Sequence, residues 1–101
     1  MRFAITLCAA MFMSGAAWAE TITIDIKSFK YNAADVTISV GDTVIWVNQD
    51  RARHTATARD GSFNTGTLKK GTSNQITLTD AGTFEYFCKF HRNMVGRIIV
   101  N

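Results

Sequence analysis

The sequence predicts an all-β fold, a two-sheet β-sandwich, and three observations carry that prediction. Apolar and polar residues alternate in several short runs, the period of half-buried strands. No segment shows a helical period. The runs are joined by short Gly-, Asp- and Asn-containing turns that leave no room for crossover helices, which favours a sandwich over a barrel or a parallel sheet. The composition suits one small folded domain: 101 residues, 47% hydrophobic and 19% charged, a size with no room for a second core. Seven Gly, no Pro and two Cys exclude a collagen-like or disulfide-dense chain, and the apolar content excludes disorder.

The chain opens with Arg2, an apolar run from Phe3 to Met13, and Ala17-Trp18-Ala19, a small-x-small pattern suited to signal peptidase. Residues 1–19 are therefore expected to be a cleaved secretory signal, carrying Cys8 with them, and residues 20–101 the domain. The apolar run is about half of the ~20 residues that a membrane-spanning helix needs, so no membrane anchor is expected after cleavage. The expected location is the periplasm. Without the signal, ten Lys and Arg face eight Asp and Glu, a net charge of +2. The basic residues are spread along the sequence, the nearest groupings being Arg51/Arg53, Lys69/Lys70 and Lys89/Arg92, so nucleic acid is not an expected partner.

The first strand is expected at Ile22, Ile24 and Ile26, which alternate with Thr and Asp, and the next at Val36, Ile38 and Val40 before the turn Gly41-Asp42. Thr43 to Asn48 forms another, centred on Trp46. Thr55 to Ala58 is short and weakly patterned. The stretch from Asp60 to Gly66 reads as irregular surface structure. Ile76 and Leu78 mark a further strand, Asp80-Ala81-Gly82 a turn, Thr83 to Lys89 a strand with Phe84, Tyr86 and Cys88 on one face, and Met94 to Val100 the last. That makes six or seven strands. The aromatic core is expected to be Phe29, Tyr31, Trp46, Phe84 and Tyr86.

The domain retains one Cys (Cys88), one Met (Met94) and two His (His54, His91). Cys88, His91 and Met94 form Cys-x2-His-x2-Met at the junction of the last two strands, so one tight loop presents a thiolate, an imidazole and a thioether. Taken singly, each has a plain structural reading: a buried thiol, a hydrogen-bonded ring, a core methionine. Together they suit a metal ion, and the soft sulfur ligands favour copper over magnesium, calcium or manganese. A structural zinc site would bring four Cys and His ligands, and only three are present. His54 follows the Trp46 strand and can reach the same end of a sandwich. Two His and one Cys in a plane with a weak axial Met form the trigonal blue-copper arrangement, whose work is one-electron transfer.

At these residues the chain resembles the cupredoxins, through Val40 to Asn48, Asp80 to Cys88 and the ligand loop. The two-residue gap between His91 and Met94 is similar to the amicyanin branch of that family, and Asp60 to Phe63 with Gly66, Leu68 and Gly71 to its plastocyanin-like members. The resemblance implies a Greek-key sandwich binding one type 1 copper through His54, Cys88, His91 and axial Met94. It implies that Asn48 ties the two ligand-bearing loops together and that the Thr55 N–H donates to the Cys88 sulfur. Three positions depart from the family pattern: Arg53 and Phe90 stand where Pro is usual before each His, and Thr55 where Asn is common. Phe90 thus restores a backbone N–H, and one aimed at the sulfur would withdraw charge from the thiolate and favour Cu(I).

The function expected is that of a periplasmic, monomeric one-electron carrier between redox proteins, with a dehydrogenase or a c-type cytochrome as plausible donor and acceptor. Electrons are expected to leave through His91, with Lys89, Arg92 and Arg97 around it to steer an acidic partner. Two alternatives use the same ligands, a copper carrier or storage protein and the copper-binding subunit of a larger redox enzyme. Catalysis by this chain alone is not expected, since it has no His for a second copper centre. Gly66 to Gly71 is not a phosphate-binding loop, because Thr72 stands where the essential Lys would be.

Overall fold

The computed structural model describes residues 18–101, so most of the expected signal segment 1–19 lies outside the described residues. Eight strands follow in order: β1 (Thr21–Lys27), β2 (Lys30–Asn32), β3 (Asp35–Ile38), β4 (Thr43–Asn48), β5 (Thr57–Ala58), β6 (Ser73–Thr77), β7 (Gly82–Cys88) and β8 (His91–Val100). There is no helix among the described residues. The strands form two four-stranded sheets, β2-β1-β4-β6 and β3-β8-β7-β5, the expected all-β sandwich. Each sheet holds one parallel pair, β1 with β4 and β3 with β8, and the other neighbours are antiparallel.

Period-two alternation sets the core, because one residue of slip would turn each apolar set to solvent. Ile24, Ile26, Val44 and Trp46 of one sheet are fully buried with Tyr86, Cys88 and Ile98 of the other. Burial of each large apolar side chain contributes about 1.5–3 kcal/mol. Trp46 joins the layers: its ring meets Tyr86 edge-on and stacks on Phe63, both at 5.4 Å between centroids.

The structure corrects several expectations. Val40 lies past the end of β3 and is exposed, because the chain turns at Gly41, whose φ of 96° suits glycine. The carboxylate of Asp42 holds this turn by accepting the N–H groups of Glu20 (2.8 Å) and Ser39 (2.9 Å). Phe63 is buried although it lies in a stretch that reads as surface. The Ala58 N–H bonds to the Phe63 carbonyl and the Ala56 N–H to Thr65 Oγ1, both at 2.9 Å, and together they draw that stretch onto the sandwich. Of the five aromatics expected in the core, Tyr31, Trp46 and Tyr86 are buried and Phe84 is half-buried against it. Phe29 is 49% exposed. It belongs to the two-residue turn between β1 and β2, a hairpin whose second strand has no clear alternation in the sequence.

Gly96 on β8 pairs with Tyr86, and a Cβ there would stand 2.5 Å from Tyr86 Oη and nearer still to ring carbon Cζ. Both residues are buried, so the ring and its packed neighbours would have to shift to admit the methyl group. Gly96→Ala is therefore expected to cost about 1–3 kcal/mol, the range for overpacking, read as a lower urea midpoint. An unchanged midpoint would contradict the packing described.

The two N–H groups on Asp42, that of Glu20 foremost, hold its carboxyl below the usual carboxylate range. A lowered folded-state value adds stability that is complete above the unfolded value of about 4 and is lost as pH falls through the folded value. The wild-type protein is thus expected to exceed Asp42→Asn in stability at neutral pH by more than it does in strong acid. A gap in urea midpoint that stays constant with pH would refute this.

Candidate metal centre

Cys88 and His91 face each other across the β7–β8 hairpin, with Lys89 and Phe90 forming its two-residue loop. Side chains of a directly opposed antiparallel pair share a face with their Cβ atoms about 4.5–5.5 Å apart, which is why the Cys-x2-His spacing brings the two together. The register shifts at Phe87/Cys88: Phe87 pairs with Val95, and residues 92–94 are left over as a bulge. The last strand therefore starts at His91 and not at Met94. The bulge is a device that re-aims side chains near functional sites. Met94, within it, is buried, and it shares a shallow hollow with Phe29, Lys30 and Tyr31.

His54 enters from the connection after β4. It pairs with Leu68 as an isolated antiparallel bridge, with hydrogen bonds of 3.2 and 2.7 Å, and is fully buried. Its Nδ1 lies 3.6 Å from Cys88 Sγ, and one ligand atom each from His54, Cys88 and His91 lie within 4.8 Å of one another. On the far side of the ring, His54 Nε2 is 2.9 Å from Asp50 Oδ2. An ionised carboxylate only accepts, so Nε2 carries a proton, and in the neutral ring this leaves the Nδ1 lone pair facing the sulfur. Partial burial works against the charge on Asp50, but the N–H groups of Phe29 and Ser28, together with His54, outweigh it and hold the carboxyl below its usual range.

Thr55 joins the two ligand-bearing segments. Its N–H donates to Cys88 Sγ at 3.4 Å, and its Oγ1 accepts the Lys89 N–H at 2.9 Å. Thr57 Oγ1 donates to Asn64, so the Thr55 hydroxyl spends its own proton on Thr57 at 2.9 Å. The Tyr31 hydroxyl donates to the Thr55 carbonyl, and burial foremost, then the nearby Cys88 and Tyr86, pushes that phenol far above its ordinary value. Phe29 completes the site. It meets the His54 ring edge-on at 5.0 Å and the His91 ring at 4.8 Å.

The donor set fits copper on chemical grounds: one buried sulfur with a backbone N–H on it, one imidazole with its free nitrogen fixed, and a second, half-buried imidazole. Residues 2–100 match the family described as a cupredoxin-like domain. The chain belongs to that family.

Among cupredoxin-like relatives, amicyanin of Paracoccus versutus is 33% identical over 87 residues, covering 81% of this chain and 66% of that protein. Amicyanin of Paracoccus denitrificans is 33% identical over 84 residues, covering 78% and 64%. The chain thus spans just under two thirds of the length of these amicyanins. Plastocyanin of Synechococcus sp. (strain JA-2-3B'a(2-13)) is 32% identical over 112 residues, covering 92% of this chain and 82% of that one. Solved structures agree. An oxidised amicyanin with a methionine-to-leucine substitution superposes with a TM-score of 0.75 at 30% identity, over 79% of this chain and 81% of that one. A Cu(I) amicyanin with a methionine-to-alanine substitution gives 0.75 at 29%, over 80% and 82%.

Set against the family expectations, the bond from the Thr55 N–H to sulfur is present, but the tie between loops is made differently. Asn48 Nδ2 donates to the carbonyls of Ala52 and Leu68, and its Oδ1 accepts the Asp50 N–H, so it braces the His54 segment alone. Thr55 makes the link to the Cys88 loop. The Phe90 N–H is not among the donors to Sγ found in the described residues, because the hairpin is pinned one residue earlier, at Lys89. Arg97 does not flank His91. It lies six residues further along β8 and pairs with Asp35 at 3.4 Å.

Thr55→Val keeps the backbone N–H on sulfur but removes the acceptor for the Lys89 N–H. The expected cost is about 1–3 kcal/mol for the partly buried donor left behind, measured by urea denaturation. Stability equal to wild type would show that the hydroxyl does not hold the hairpin.

Proposed function

We propose that this cupredoxin-like protein binds one type 1 copper through His54 Nδ1, Cys88 Sγ and His91, with Met94 as the weak axial ligand, and carries single electrons between redox partners rather than catalysing a reaction of its own. The observation that carries this reading is the convergence of two imidazoles and one buried sulfur within 4.8 Å. Copper, when bound, supplies the chemistry by alternating between Cu(II) and Cu(I). The residues supply the setting. Asp50 keeps the proton on Nε2 of His54, the Thr55 N–H takes part of the negative charge that a Cys88 thiolate carries, and the surrounding sandwich excludes water. Rigid donors on packed strands keep reorganisation small. His91, half-buried, is the donor with a route to the surface.

Export to the periplasm with cleavage after Ala19 is part of the proposal. The Glu20 nitrogen already lies 2.8 Å from Asp42 Oδ1, so the new terminal ammonium would gain a carboxylate partner. No helix among the described residues is long and apolar enough to cross a membrane. An electron carrier is favoured over a copper store because the ligands are mostly buried: His54 and Cys88 have no exposed surface and Met94 has 4%.

Adding Cu(II) to the purified protein is expected to give an intense visible thiolate-to-copper band that is bleached by ascorbate and returns on reoxidation. Cys88→Ser is expected to abolish the band, and Met94→Leu to keep the band while changing the potential. A colourless wild-type complex, or a coloured Cys88→Ser variant, would refute the assignment.

A further inference from the structure

The charges that look scattered along the sequence are sorted by the fold. The centre lies where β1, β4 and β7 end and where β2, β6 and β8 begin. The β1–β2 turn carries Lys27 and Lys30 to that end, and the connection leading to His54 carries Arg51 and Arg53. Lys69 and Lys70 lie in a turn fastened there by the Gly71 N–H on the Asn48 carbonyl at 2.7 Å. Lys89 and Arg92 flank His91 itself. All eight are exposed, and none makes an ion pair among the described residues.

The two remaining cations, Arg59 and Arg97, lie at the waist opposite Glu85 (4.0 Å) and Asp35 (3.4 Å). Among the described residues the far end has Glu20, Asp42 and Asp80 and no Lys or Arg, and cleavage would add one ammonium there, beside Asp42. Among the described residues two carboxylates lie near the centre's end: Asp50, already engaged by the N–H groups of Ser28 and Phe29 and by His54, and exposed Asp25, two residues from the end of β1, which accepts Gln49 Nε2 at 3.3 Å. Asp60, the last acid, accepts the Ser62 N–H in the loop after β5. A protein of net charge +2 after cleavage therefore has a strongly positive pole around its candidate copper and a negative pole opposite.

The positive pole also carries apolar surface. Phe29, Phe90 and Val95, 49%, 41% and 47% exposed, lie beside His91 and Met94. Two cations rest on one of these rings, Arg53 Cζ at 5.4 Å and Lys89 Nζ at 5.8 Å from the Phe90 centroid. Aromatic surface rimmed by Arg and Lys is the composition of a docking face, and charge of one sign around it steers encounter.

We propose that this pole is the docking surface for a redox protein whose own electron-transfer face is acidic. The inference rests on the copper reading above. It extends the expectation for Lys89 and Arg92 to eight residues from four loops and removes Arg97. An anionic membrane is the less favoured occupant, because the charges lie on the loops at the same end as the half-buried ligand through which an electron would pass.

The test is stopped-flow oxidation of the copper-loaded, reduced protein, in which one electron leaves Cu(I) and reduces the probe. With ferricyanide the rate is expected to fall at least about tenfold from ~10 to ~300 mM salt, and with cationic tris(phenanthroline)cobalt(III) to rise. The same contrast is expected between c-type cytochromes with acidic and with basic haem edges. Reversing Lys69 and Lys70 to Glu together should slow the acidic cytochrome several-fold at low salt and leave the visible band unchanged. A normal band with rates indifferent to salt would overturn the docking proposal alone, as would tight binding to phosphatidylglycerol vesicles without steering of either cytochrome. Absence of the band would instead overturn the copper reading on which it stands.

Discussion

The grip on Thr55 is the constraint on which the candidate centre depends. His54 and Cys88 are 34 residues apart and approach from separate segments, and a sandwich does not by itself hold two such segments to within a metal ligand's reach. Thr55 does so with every polar group it has: N–H to Sγ, hydroxyl to the Lys89 N–H and to Thr57, and carbonyl to Tyr31. Since the residue itself is buried, breaking any one of these leaves a polar group without water to replace its partner. The donors are thus placed by the folded chain, and an ion entering the site has little ordering left to do.

A second economy centres on Asp50. Its two oxygens cap the N–H groups of Ser28 and Phe29, which sit at φ 56° and 59°. A two-residue hairpin turn with positive φ at both central positions usually recruits Asn-Gly, so a Ser-Phe turn of that kind is strained unless held from outside. The same carboxylate orients His54. One side chain therefore fixes an imidazole tautomer and holds in place the turn that lays Phe29 against both histidine rings.

Much of this was legible in the sequence. Period-two alternation located β1, β3, β4 and β7, because in a sandwich one face of each strand must be apolar. Cys-x2-His-x2-Met showed which side chains gather between the last two strands, but as one loop; that Cys88 and His91 are a cross-strand pair flanking a two-residue turn, with Met94 in a bulge, came from the structure. The misses share a cause: they depend on partners far away in the chain. β2 pairs along only three residues and carries no alternation to detect. Phe29 looked like core because it is aromatic, and Phe63 like surface because Gly, Ser and Asn surround it. Arg97 is near His91 in sequence, yet an extended strand carries it away at about 3.3 Å per residue. The converse error hid the positive pole, whose cations are distant in sequence and gathered only by the topology.

Crystal structures of the protein before and after loading with copper would test the central claim most directly. One copper is expected, bound by His54 Nδ1, Cys88 Sγ and a ring nitrogen of His91, with the Thr55 N–H still on sulfur and the His54 and Cys88 side chains unmoved. Copper elsewhere, or at these residues only after the Thr55 contacts have parted and the hairpin has shifted, would contradict it.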